Sequence, residues 1–190
     1  MQLYLSDQQD QFDQHLHKLI CQPVMNYSHA QLHEQVTTIG LGAVKSIKDI
    51  NPDILFQYKI FPKHIMTFLT QWQEEDREMQ PGDTIIQQVY IPPINSVSLK
   101  LIFGVRIQSI IHEAARIGFS YETLEGHAER GISTFTIEQT GEEKLIFKIH
   151  TFSKPGNIFG KLLAPVFSLP YQAYCTREAL KNVQRQLYIA

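Results

Sequence analysis

The residues with the most chemical capacity in this chain are a histidine, two tyrosines and a serine, each beside a strand-like run. His127 follows Gly126 directly after the run 117–124. It therefore sits in a turn at the end of a buried-looking strand, where a loop at a pocket rim presents a polar group. An imidazole there can exchange a proton near neutral pH, and it serves structure equally by bonding a backbone carbonyl. Tyr90 and Tyr121 fall on strand positions whose alternation directs them inward. A buried phenol needs a partner for its hydroxyl, so each either packs the core or orients a ligand. Ser153 precedes Lys154-Pro155 and follows His150 closely. A nucleophilic serine needs a histidine and a third group in reach, but His150 belongs to a polar alternation. Ser153 capping a final helix, with Pro155 at its first turn, is the structural role that fits.

Metal and nucleotide chemistry have weaker supports. His15 and His17 form one tight pair, and His29 and His33 form another at helical i, i+4 spacing, as metal ligands can. Neither pair has a carboxylate and a third histidine at a recognisable spacing, so no metal and no other cofactor is expected. Gly40-Leu41-Gly42 lacks the third glycine and the following helix of a dinucleotide fingerprint and reads as a turn. Arg106 and Arg116 can hold a carboxylate or phosphate bidentately, but Arg106 shares its strand face with Gln108, which argues for an outer, solvated face. The net charge of −2 and the lack of a basic stripe with interleaved aromatics argue against nucleic acid as a partner.

These side chains need a scaffold, and the 190 residues with 43% apolar content suffice for one core. Residues 1–22 are expected as a surface helix, with Phe12, Leu16, Leu19 and Ile20 on one face and Pro23 ending it. Residues 23–190 are expected as a single domain. In it, 54–61 reads as a strand and 63–78 as a helix carrying Ile65, Phe68, Leu69 and Trp72 on one side. Strands over 84–91, 97–112, 116–124, 133–139 and 144–152 follow, and their hairpin-sized gaps make neighbours antiparallel, in a sheet of about five to seven strands. Phe119 and Tyr121, Phe135 and Ile137, and Leu145, Phe147 and Ile149 share one face. Ser120, Glu122, Thr134, Glu138, Lys148 and His150 take the other. One face is therefore apolar and one wet.

The C-terminal segment, divided by Pro165 and Pro170, must cover the apolar face. Its last part, 171–187, spaces Tyr174, Leu180, Val183 and Leu187 as a helix does. The fold class is α+β of helix-grip type: a curved antiparallel sheet closed over a long C-terminal helix, with an extra N-terminal helix. A sheet gripping one helix leaves a gap that takes apolar molecules. Tyr90, Phe119, Tyr121, Phe135 and Phe147 are expected to line that gap from the sheet. His127 belongs at its rim, and Leu163, Phe167 and Tyr174 come from the helix side.

The run Ile117-Gly118-Phe119-Ser120-Tyr121-Glu122-Thr123-Leu124-Glu125-Gly126-His127 resembles the centre of uncharacterised protein family 0548, the domain of unknown function nineteen-ninety. Gly131 and Phe135 match its following turn glycine and phenylalanine, and Phe152-Ser153-Lys154-Pro155 its Phe-Ser-basic-Pro block. Gln172, Arg177 and Leu180 match its closing helix, and Pro23-Val24-Met25-Asn26-Tyr27 its N-terminal block with Asn26 in place of Thr. Trp72 and Gly82-Asp83-Thr84 also fit. The chain departs from the family at Phe61-Pro62-Lys63, where a Gly-x-Gly is usual, at Ile132-Ser133, where an acidic pair is usual, and at 28–41, which resembles an insertion. The family is similar to the START-like ligand-binding superfamily, and this resemblance implies the helix-grip fold already reached.

The expected partner is a small apolar or amphipathic molecule. Two other readings stand beside it: an enzyme of cyclase or hydrolase type using His127 and Tyr121 as acid and base, and a structural protein whose cavity is filled by side chains. No window approaches the ~18 apolar residues of a membrane helix, and the N-terminus lacks a charged-then-apolar leader. Cys21 and Cys175 are expected as free thiols in a reducing cytosol.

Overall fold

The computed structural model describes residues 2–42, 46–93, 98–140, 144–156 and 169–189. Its strands are β1 (Gln2–Tyr4), β2 (His33–Gly40), β3 (Met66–Thr70), β4 (Thr84–Ile91), β5 (Leu99–Glu113), β6 (Arg116–Thr123), β7 (Glu129–Thr140) and β8 (Lys144–Pro155). The helices are α1 (Phe12–Ile20), the single turns α2 (Asp53–Phe56) and α3 (Gln71–Glu74), and the long α4 (Leu169–Ile189). All pairings are antiparallel. The strand order is β2-β8-β7-β6-β5-β4-β3, with β1 paired to the N-terminal half of β5. The sheet of eight described strands is open, because β2 and β3 end it without meeting. With α4 on its inner face it is the α+β helix grip.

Alternation builds the inner face as expected along β6, β7 and β8. Phe119, Phe135, Ile137, Leu145, Phe147 and Ile149 are all buried. On β5 a bulge between Ile107 and Ser109 reverses the parity, so Ile110 comes to lie opposite Phe119. Gly131 is required where β7 and β8 press together, because a Cβ there would lie 1.9 Å from the Phe152 carbonyl oxygen. Ala179, Leu180 and Val183 of α4 join this core. Further along, the Asn182 amide donates to the Ile60 carbonyl at 3.0 Å and that of Gln184 to Gly40 at 2.7 Å, which fixes the helix between the turns before β3 and the end of β2.

The structure corrects four expectations, and of the described residues in 1–22 only Phe12–Ile20 is α-helical while Gln2–Tyr4 is a strand on β5. Residues 54–61 are not a strand. Asn51 Oδ1 accepts from the Asp53 amide at 2.9 Å and starts α2, and Ile54, Leu55, Tyr58 and Ile60 are all buried. The buried positions do not keep to one parity, Leu55 lying beside Ile54, so turns fit where a half-covered strand does not.

Residues 63–78 are not a helix. Met66–Thr70 pairs with β4, and Thr70 then caps α3 by accepting from the Gln73 amide at 3.3 Å. The open backbone edge of β4 decided the conformation over a helical apolar spacing. The stretch 28–41 supplies the edge strand β2, which is exposed over most of its length. A strand facing water on both sides carries no apolar period.

Ser153 does not cap a helix, because β8 runs on to Pro155. Nor is Arg106 solvated: α1 lies over it, and its guanidinium donates to the Leu19 and Ile20 carbonyls at 3.2 and 2.8 Å. It thereby places its charge at the C-terminus of α1, where the last carbonyls point out of the helix. Phe12, Leu16 and Leu19 pack there on Ile86, Ile102 and Leu124, so β4 and β5 are covered on both faces, while the outer face of β6–β8 carries polar residues, half-exposed at Glu122, Thr134, Glu138, Lys148 and His150 and buried at Ser120 and Thr136.

Phe147, 0% exposed, sits in the middle of the inner face. Phe147→Ala is expected to lower unfolding stability by roughly 3–5 kcal/mol. Urea denaturation checks this, and a loss below about 1 kcal/mol would show that the inner face is not the core.

Candidate functional site

Between the inner face and α4 lie two adjoining cavities, of about 140 and 160 Å³. Phe61, Tyr121, Glu129, Gln172 and Cys175 border both. Gln87, Val89, Phe103 and His127 complete the first on the β4–β5 side. Ser133, Phe135, Ile149 and Ser153 complete the second on the β7–β8 side.

The link from β6 to β7 positions the histidine. Gly126 takes a left-handed φ of 84°, and the His127 amide donates to the Leu124 carbonyl at 3.1 Å. The turn points the ring inward against Phe103, with centroids 4.6 Å apart. Nδ1 lies 3.0 Å from both the amide nitrogen and the carbonyl oxygen of Glu129, so the ring is tied to the start of β7 by one or the other according to its tautomer. Burial lowers the imidazole pKa to about 4, so the ring is neutral near pH 7.

Glu129 is partly buried at the start of β7. Burial pushes its pKa up, against hydrogen bonds from the Ser153 hydroxyl and the Gln172 amide. Tyr121 is hydrogen-bonded with Tyr58, Gln87 and Ser133, and burial raises its pKa. Gln87 in turn donates to the Tyr58 hydroxyl at 2.6 Å. Cys175 is pushed up to about 11 by burial, which leaves a protonated and unreactive thiol at neutral pH.

Of the expected lining residues, Tyr121, His127 and Phe135 border the cavities. Phe119 and Phe147 lie beneath them in the solid core, with Phe119 stacked on Phe135 at 5.3 Å. Tyr90 lies elsewhere. Its side chain is on the outer face, where its hydroxyl donates to the Asp7 carboxylate and accepts from Gln88, both at 2.9 Å. Since β4 is buried on both faces, apolar content gave no parity, and Gln87 and Val89 hold the inner positions. Tyr174 is 38% exposed and faces away, its hydroxyl 3.5 Å from His64 Nε2. Tyr171, Gln172 and Cys175 face the cavity instead. Leu163 and Phe167 lie outside the described residues.

Sequence reasoning missed Glu129, Gln87 and Gln172. Glu129 was within reach, because counting back by twos from Phe135 passes Ser133 and Gly131 to Glu129 on the same face of β7. Gln87 and Gln172 carry no such signal.

Among the described residues no three histidine, cysteine, aspartate or glutamate side chains assemble as metal ligands. His29 and His33 share no helix face, since His29 lies in a short 3-10 turn beside Tyr27 and Phe152 and His33 opens β2.

The neutral, buried His127 has a measurable consequence. Its folded pKa lies below the unfolded value, so the unfolded chain takes up the proton first as pH falls. The stability that this neutral ring contributes is complete above the unfolded value of 6.5 and is lost as pH falls toward about 4. Replacing His127 by Gln should flatten the loss over that window. Urea midpoints of both proteins across it check this, and parallel curves would remove the buried imidazole from the account.

The comparisons agree with this architecture. Ginseng major latex-like protein 151 from Panax ginseng has 12% sequence identity and a TM-score of 0.56, with 82% of this chain and 97% of that chain covered. A hypothetical protein from Helicobacter pylori has 6% identity and a TM-score of 0.52, covering 85% of this chain and 94% of the other. At these identities the likeness is one of fold. No curated protein matches the sequence. The family model described as Domain of unknown function (DUF1990) matches residues 21–182. Those residues contain all of the sheet except β1, together with the cavity walls and most of α4, and the chain accordingly belongs to the DUF1990 family.

Proposed function

We propose that the protein binds a small apolar or amphipathic molecule in the cleft between the sheet and α4. The observation that carries this reading is the pair of adjoining cavities, walled by Phe61, Val89, Phe103, Phe135 and Ile149 and furnished with a few convergent polar groups. Apolar walls with a handful of placed hydrogen-bonding groups are the usual make-up of a small-molecule site. A reducing cytosol suits the two free cysteines. No helix among the described residues is long and apolar enough to cross a membrane.

An enzyme in the same cleft is less well supported. A base with a pKa of about 4 and a phenol raised above its ordinary value are both poorly matched to proton transfer near neutral pH. His127 and Tyr121 are better suited to orienting a ligand.

Native mass spectrometry of freshly purified protein tests the proposal by looking for a co-purified small molecule. A direct test uses Tyr121→Phe with N-phenylnaphthylamine as a fluorescent apolar probe and its displacement by candidate ligands. If the hydroxyl orients the ligand, affinity should fall by about 0.5–1.5 kcal/mol with the fold intact. Lowered unfolding stability beside unchanged affinity would show a core hydroxyl and remove Tyr121 from the site.

A further inference from the structure

Glu129 is set apart from every other polar group in the cleft by its charge. It borders both cavities, and the two groups that hydrogen-bond its carboxyl among the described residues, Gln172 and Ser153, are neutral. Among the described residues no lysine or arginine borders either cavity. Arg130, its neighbour in sequence, instead donates to the Gly156 carbonyl at 3.2 Å. A carboxylate out of bulk water without a cation is costly, and in proteins such a charge is paired or suppressed. Its oxygens offer about four acceptor positions in all, more than two neutral donors fill. The other hydrogen-bonding side chains at the first cavity are Gln87, Tyr121, Tyr171, Gln172, the protonated Cys175 and the neutral His127, and none of them brings a positive charge.

We infer that the cleft selects amphipathic amines: the ligand's ammonium group pairs with Glu129 where the two cavities meet, and its apolar body lies along Phe61, Val89 and Phe103 or Phe135 and Ile149. The inference rests on the binding reading given above and names the head group that such a ligand carries. A carboxylate of the same chain length meets the opposite fate, since it brings a like charge beside Glu129 in a site shielded from water. An alcohol falls between the two, donating one neutral hydrogen bond.

Isothermal titration calorimetry of the full chain with octylamine, octanol and octanoate, each below its micellar concentration, tests the inference. Octylamine should bind about tenfold tighter than octanol, the difference between a charge-assisted and a neutral hydrogen bond, and octanoate should bind more weakly than octanol. In Glu129→Gln octylamine and octanol should bind equally. On wild-type protein the amine preference should fade as pH is lowered, because burial holds the carboxyl's pKa above the ordinary carboxylate value and the group loses its charge as it takes up a proton. This pH series stands even if the variant folds poorly.

Octanoate binding as tightly as octylamine would overturn the inference and leave the binding reading in place. So would an amine preference that survives in Glu129→Gln or does not change with pH. If none of the three binds, the binding reading itself falls and this inference falls with it.

Discussion

The structure depends on one aromatic contact set, built around Tyr58. This residue is 0% exposed and holds a left-handed φ of 54°, an unusual backbone state for a tyrosine. Its ring meets Phe68 edge-on at 5.1 Å and reaches Phe119 and Tyr121 at 6.0 and 6.4 Å, while Gln87 satisfies its hydroxyl from β4. The plug of turns over 51–61 is thereby tied to β3, β4 and β6 at once. Phe61, on the same plug, borders both cavities and meets Phe135 at 6.2 Å. The cleft therefore has one wall that belongs neither to the sheet nor to α4, and the position of that wall is set by a buried phenol and a buried amide.

The chemistry of the cleft follows from this shielding. Low dielectric suppresses charge, which keeps His127 neutral, holds the phenols protonated and raises Glu129. Among the described residues the ion pairs lie away from it. Arg77 grips Asp83 bidentately at 2.8 and 2.6 Å beside α3, and Lys148 meets Glu138 at 3.3 Å on the outer face. The former clamps the loop before β4 and the latter links neighbouring strands in partial contact with water, so neither reaches the cleft. Shape and hydrogen bonding at the site thus come from side chains whose charged forms burial disfavours.

The sequence made the sheet legible wherever one face was dry and the other wet. β6, β7 and β8 meet that condition, and Phe119, Phe135 and Phe147 were assigned to the correct face. The pattern disappeared where burial was two-sided or absent. On β4 every residue is buried, so Tyr90 could not be told from Val89. On β2 exposure is so general that no period survives. The plug and β3 escaped for another reason: their conformations answer to partners distant in sequence, such as Phe56, whose carbonyl accepts from the Trp72 indole at 2.9 Å. The site was half legible on the same logic. Tyr121, His127 and Phe135 stand on strands or a turn that local pattern defines. Gln172 enters only because α4 docks with that side toward Glu129.

The position of α1 under Arg106 also bears on how the protein is made. The apolar stripe of α1 is synthesised well before Ile86, Ile102 and Leu124, which it covers. At cellular elongation rates the interval is on the order of ten seconds. A nine-residue segment is too short to hold a helix by itself in water. The nascent stripe therefore waits as unstructured chain rather than as an exposed apolar helix. Its carbonyls acquire their guanidinium partner only after β5 has left the ribosome. Docking of α1 is thus a late event in assembly, and it fastens the sheet from outside once the strands are paired.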